Sequence, residues 1–263
     1  VKVLITSIIN TINNNILTFI FGNLFPMKAV GNYSQASKWN TMASTTISGT
    51  IEQVAQPVLA QISDDPDRER RVFRKMLRVT AFLAFPALFG MSLVAEELIL
   101  VTISDVWLGS VPLLKTLCIG GAFLTFYTLY QHLVIAQGRS DIYMWCNIGQ
   151  IVIQLIIILL FHSQGIVSMV VAYTVFTVAW LAVWQWNVRK LIGVTFVEAL
   201  SDVLPFMLAA AAVMTTTYFV TSAIADPRLL LPVRIVVAAS LYFVVMKVAK
   251  VKILEECIAY FRK

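Results

Sequence analysis

"IGQIVIQLIIILLFHSQGIVSMVVAYTVFTVAWLAV", residues 148–183, holds two nearly polar-free runs with only "HSQ" between them. A helix rises 1.5 Å per residue, so a run of about 20 apolar residues crosses about 30 Å of hydrocarbon. A transmembrane barrel would instead show short segments of alternating polarity, and these runs are continuous and too long for that. They predict two consecutive membrane-spanning helices that face lipid or serve as scaffold.

The rest of the chain repeats this design. Of 263 residues, 59% are hydrophobic and 13% charged, and the mean hydropathy is +0.82. No soluble domain of this length hides so much apolar surface. Spans are expected at about 3–22, 41–62, 79–101, 112–136, 143–162, 165–186, 203–223 and 230–250. The fold class is an all-α polytopic membrane protein with about eight transmembrane helices.

Lysine and arginine set the orientation. If the first span starts on the cytoplasmic side, cytoplasmic ends hold Lys2, the six of "DRERRVFRKMLR" (67–78), Arg139, Arg189, Lys190, Lys247, Lys250, Lys252, Arg262 and Lys263. The other side holds Lys28, Lys38, Lys115, Arg228 and Arg234, so fifteen of the twenty are inside and both termini are expected to be cytoplasmic. The run at 68–78 then reads as a short cytoplasmic loop near anionic headgroups, with Val72, Phe73, Met76 and Leu77 lying on the bilayer, and not as a nucleic-acid-binding arm. Residues 190–205, "KLIGVTFVEALSDVLP", are expected to run along the interface through Leu191, Val194, Phe196 and Leu200.

Catalytic chemistry finds little support. Cys118, Cys146 and Cys257 suggest no disulfide, and His132 and His162 fall at different span ends, which argues against a shared metal. There is no nucleotide loop, G-x-S-x-G or H-E-x-x-H, and no loop long enough to fold as an enzyme domain. No enzyme activity and no cofactor are expected. The chain starts without methionine, directly in an apolar stretch, and is expected to be a fragment.

One span carries a glutamate. In "TTISGTIEQVAQPVLA" (45–60), helical spacing gathers Thr41, Thr45, Ser48, Glu52 and Gln56 in one stripe, with Ile47, Ile51, Val54, Val58 and Ile62 in another. A carboxylate facing acyl chains costs at least ~2.5 to 3.5 kcal/mol, so Glu52 is expected to face water, a partner or a cation. Pro57 removes a backbone donor and frees the Gln53 carbonyl. The first span has the same habit, gathering Thr6, Asn10, Asn13 and Asn14 in one sector. Either these amides hydrogen-bond between helices, or spans one and two line a hydrated cavity for a polar solute. The second reading is favoured, because two successive helices carry such stripes. Wet and dry helices in one bundle suggest transport.

The polar first span with "GNYSQASKW" comes first, then "TISGTIEQVAQPVLAQISDDPDRERRVFRKMLRVTAFLAFPALFGMSLVAEELILV", then "VWLGSVPLLKTLCIGGAF" and "GRSDIYMWCNI". In this order the chain resembles the C-terminal half of a Wzx-type polysaccharide flippase, of the multidrug/oligosaccharidyl-lipid/polysaccharide exporter superfamily. The features matched are a proline-bearing second span, a basic loop, a Phe/Pro/Gly-rich span and a turn carrying Trp107 and Pro112. The resemblance implies a six-helix second lobe at 1–187, then an interfacial segment and two extra helices at 188–263, with the N-terminal lobe missing. It also implies movement of an undecaprenyl-pyrophosphate-linked oligosaccharide across the bacterial inner membrane by alternating access. Asn10, Asn13, Asn14, Glu52, Gln53 and Gln56 would face the inter-lobe cavity. Within the spans this half offers only Lys115 and Arg234 as cations, both near the outer side, so the missing lobe is expected to supply those for a pyrophosphate. The alternatives are a drug or cation antiporter of the same superfamily, a membrane glycosyltransferase or polysaccharide polymerase, and a structural subunit.

Overall fold

A computed structural model describes residues 21–62, 64–224, 226–251 and 253–255. Among these residues there is no strand. The helices are α1 (Met27–Gln61), α2 (Pro66–Leu93), α3 (Ala95–Thr102), α4 (Val111–Ala136), α5 (Ser140–Phe161), α6 (Ile166–Ile192), α7 (Phe196–Thr221) and α8 (Pro227–Val248), with short 3-10 turns at Asp105–Ser110 and His162–Gln164. Six helical stretches are long and apolar enough to cross a membrane: Pro66–Leu93, Asp105–Ala136, Ser140–Gln164, Ile166–Ile192, Phe196–Thr221 and Pro227–Val248. The expected first span lies outside the described residues, together with Asn10, Asn13, Asn14 and Cys257.

The expected second span falls within α1, which starts fourteen residues earlier than the pattern suggested. Pro26 sits in extended geometry just before the helix, and nothing in "MKAVGNYSQASKW" breaks it afterwards. At 35 residues α1 is about 52 Å long. Its polar stripe keeps it out of the six. The expected third span, 79–101, also divides differently, since α2 ends at Leu93 and α3 restarts at Ala95 with Glu96 and Glu97 in its first turn.

The basic run is not a loop. Pro66 occupies the first turn of α2, Asp65 caps it by accepting from the Arg68 N–H at 3.0 Å, and the charged residues form its opening turns. Buried positions Glu69, Phe73, Leu77, Thr80, Ala81, Ala84, Phe85 and Leu88 recur at helical spacing straight through the charged segment. Phe73 and Leu77, expected on the bilayer, are fully buried, and the Phe73 ring meets Tyr130 of α4 edge-on at 5.3 Å. Nor do residues 190–205 form one segment of their own, since α6 ends and α7 begins within them. Gly193, at φ 70°, ends α6 in a left-handed turn, and Thr195 and Glu198 form a reciprocal cap from which α7 runs unbroken through Pro205.

These two corrections share one cause. Arg70, Arg74 and Arg78 are spaced four apart on α2 and meet Glu198 and Asp202, spaced four apart on α7. Arg70 reaches Glu198 at 2.6 Å, Arg74 reaches Asp202 at 2.6 Å and Glu198 at 3.1 Å, and Arg78 reaches Asp202 at 3.2 Å. Asp202 is buried under this cluster. Near the opposite ends of the helices, buried Arg234 of α8 pairs with buried Glu97 of α3 at 2.6 Å and donates to the Thr221 hydroxyl and the Leu93 carbonyl. Between the two clusters, the Tyr242 hydroxyl donates to the Phe82 carbonyl at 3.1 Å. Helices α7 and α8 are thereby bound to α2 and α3 along their length.

Helix α4 runs through the centre, against α1, α2 and α6. Gly120 and Gly121 permit that crowding. A methyl group at Gly121 would overlap the Asn40 amide of α1, and one at Gly120 would sit 2.7 Å from Thr174 Cγ2 of α6.

Candidate functional site

Helix α1 sorts its side chains by direction. Ala36, Asn40, Ile51, Ala55 and Leu59 are buried in the bundle, whereas Thr41, Thr45, Glu52, Gln53 and Gln56 are exposed. The hydroxyls look after themselves: Thr45, Thr46 and Thr50 donate to the carbonyls of Thr41, Met42 and Thr46 at 2.7–2.9 Å. A back-bonded hydroxyl is tolerable next to lipid, but a carboxylate and two amides are not. The residues that need a polar environment are therefore Glu52, Gln53 and Gln56, within about a turn and a half of Pro57.

Glu52 reaches across to α4, where His132 Nε2 lies 3.7 Å from Glu52 Oε1. The histidine side chain is 13% exposed and the glutamate side chain 57%. The other ring nitrogen, His132 Nδ1, is buried with no hydrogen-bond partner among the described residues. His132 had read as a lone helix-end residue. In the fold it is the neighbour of the one carboxylate in the polar stripe. Only a register between α1 and α4 could have revealed this, and no local pattern carries that register. His162, by contrast, turns back on its own helix end, with Nδ1 2.6 Å from the Leu159 carbonyl oxygen. Among the described residues no cluster of His, Cys, Asp and Glu could hold a metal ion.

Five polar groups along α5 and α6 point inward. Asn147, Gln154, Thr174, Thr177 and Gln185 are buried, while most of both helices remains exposed on the outside of the bundle. Tyr130 donates to Gln185 Oε1 at 2.7 Å, Gln185 donates to the Val194 carbonyl at 2.8 Å, and Tyr127 donates to the Thr177 carbonyl at 2.6 Å. Asn147, Thr177 and Gln185 thus find partners within the lobe, as buried polar groups in hydrocarbon must, whereas the Thr174 hydroxyl has none among the described residues. They differ from the α1 stripe in having no open side. Of the two cations noted inside spans, Arg234 is engaged by Glu97, and Lys115 lies on the α2/α7 side of α4.

Residues 1–112 match the profile of a family described as polysaccharide biosynthesis proteins. The chain is 32% identical over 147 residues to an uncharacterized membrane protein in the cps region of Klebsiella pneumoniae, covering 56% of this chain and 30% of that protein. It is 29% identical over 136 residues to the lipopolysaccharide biosynthesis protein WzxC of Escherichia coli, covering 52% and 28%. It is 25% identical over 174 residues to the teichuronic acid biosynthesis protein TuaB of Bacillus subtilis, covering 66% and 34%. The chain is similar to these proteins over about half to two thirds of its length. The resemblance to Wzx-type flippases read from the sequence is thus borne out, and the chain is a multi-pass membrane protein. It spans about a third of the length of the curated relatives it matches. Its fold is that of the lipid II flippase MurJ in an inward closed conformation, with a TM-score of 0.68 over 86% of this chain and 48% of that structure, at 14% identity.

Proposed function

We propose that this chain is one lobe of a flippase that carries an undecaprenyl-pyrophosphate-linked oligosaccharide between the leaflets of a bacterial inner membrane. Residues 1–187 form its six-helix lobe and 188–263 its additional helices. A second, N-terminal lobe closes the other side of the cavity, and the site alternates in access between the two lobes. Both termini are cytoplasmic. The protein moves its substrate without making or breaking a covalent bond.

The observation that carries this reading is the exposed face of α1. Glu52, Gln53 and Gln56 point out of the lobe at a place where a membrane protein would otherwise present apolar side chains to lipid. A wet cavity against a second lobe accounts for that exposure, and amides with a carboxylate suit sugar hydroxyls. Asn10, Asn13 and Asn14 lie outside the described residues and are further candidates for contact with the same substrate. Cations for the pyrophosphate come from the second lobe.

The test is surface-polysaccharide export in cells that depend on this transporter, comparing Glu52→Gln and Glu52→Ala with the unmodified protein at matched expression. Loss of export with normal insertion supports the reading, and unchanged export in both variants sinks the cavity role of Glu52. The Glu52–His132 pair favours one second reading, a drug or cation antiporter in which Glu52 holds the coupling proton or cation. That reading requires drug efflux to fall with Glu52→Gln while polysaccharide export stays intact.

A further inference from the structure

Lys115 and Arg234 lie inside spanning helices on the face expected to be outward, and the fold treats them in opposite ways. Arg234 is buried and its charge is answered by Glu97 at 2.6 Å. Lys115, one turn into α4, is exposed and carries no ion pair among the described residues. It lines a groove of about 450 Å³ between α2, α4 and α7, together with Phe89, Ile119, Met214, Tyr218 and Phe219. The Ser92 hydroxyl donates to the Lys115 carbonyl at 3.4 Å, which places the lysine level with the last turn of α2. Ile119 lies one turn further along α4, and on α7 the wall extends eight residues from Phe219 back to Ala211, about 12 Å. The Thr215 hydroxyl is turned onto the Ala211 carbonyl at 2.8 Å, which leaves its methyl to the groove.

The groove therefore has an unanswered positive charge at its rim and an apolar trough leading toward mid-membrane. We propose that it binds an anionic glycerophospholipid of the outer leaflet, with the phosphate on the Lys115 ammonium and one acyl chain along Ile119, Met214 and Phe219. Basic pockets between transmembrane helices hold anionic headgroups in this way. The larger groove beside Arg234, about 530 Å³, provides the contrast, because its cation already has a carboxylate partner and offers no charge to a phosphate. This assignment needs the chain to span a membrane with the Lys115 end of α4 outward, and it stands or falls independently of oligosaccharide transport.

Native mass spectrometry of the purified chain, released from micelles with equal phosphatidylglycerol and phosphatidylcholine, tests it. Lys115→Gln should lower the retained ratio of phosphatidylglycerol to phosphatidylcholine about fivefold, the factor equivalent to ~1 kcal/mol for one lysine against an anionic headgroup. Lys115→Arg should keep the ratio. Ala211→Trp, which fills the trough, should lose retention of the lipid with the rim charge intact. Because Lys115 is exposed, its substitution leaves the packing alone, and helical circular dichroism checks that. An unchanged ratio in Lys115→Gln overturns the proposal. So does displacement of phosphatidylglycerol by an equal amount of a polyprenyl phosphate, which would give the groove to the transported lipid.

Discussion

Glu52 and His132 are eighty positions apart in sequence and 3.7 Å apart in space. With the glutamate side chain more than half exposed, the attraction is screened, and such pairs contribute at most about 1 kcal/mol to stability. Glu52→Gln should thus leave the thermal midpoint of the detergent-purified protein nearly unchanged while export is lost. A large drop in that midpoint would make Glu52 a structural residue. Gly121 is the opposite kind of position. Gly121→Val would push a branched side chain into the Asn40 amide and should destabilise the fold by about 1–3 kcal/mol, read as an earlier thermal transition. The sequence marked Glu52 by its cost in hydrocarbon. It could not mark Gly121 or His132, whose meaning depends on which helix lies opposite.

At the scale of elements, the α2–α7 cluster rests on buried Asp202. Arg74→Ala would leave that carboxylate short of its bidentate partner and should cost about 3 kcal/mol, whereas replacing Arg74 and Asp202 together by apolar residues should recover much of the loss. Thermal unfolding of the two single variants and the double variant measures the coupling, and additive losses would refute it. This cluster also explains which elements were legible. Continuous apolar runs located α4, α5, α6 and α8 to within a few residues in most cases, because composition alone decides a lipid-facing span. The openings of α2 and α7 read instead as a loop and an interfacial segment. Their arginines and carboxylates are polar taken singly and become compatible with packed helices only when paired across 128 or 124 positions. The start of α1 was missed for a related reason: "GNYSQASKW" lacks a span's hydropathy but contains nothing that stops a helix.

For the whole molecule, ion pairs near both ends and the Tyr242 hydrogen bond between them predict that α7 and α8 travel with the lobe as one body. Bridging Arg70→Cys and Glu198→Cys with a reducible bis-maleimide should leave export unchanged, and loss of export that reverses on reduction would show that these helices must separate. The chain by itself should also fail to move a lipid-linked sugar between leaflets in vesicles, because one wall does not enclose a cavity. The resemblance and the all-helical membrane class were readable from the order of spans. The substrate was not, because the exposed face of α1 names a polar solute without saying which one.

The longest described helix is also the polar one, and that has a mechanical consequence. Wedged by Asn40 against Gly121 near its midpoint, α1 is a rod of about 52 Å with a fulcrum. Glu52 lies twelve residues from that fulcrum, about 18 Å along the rod, so a 10° tilt would carry it about 3 Å sideways. That throw is close to the whole 3.7 Å separation from His132, so a tilt of this size would make or part the contact, carrying the buried Ile51 and Ala55 along with it.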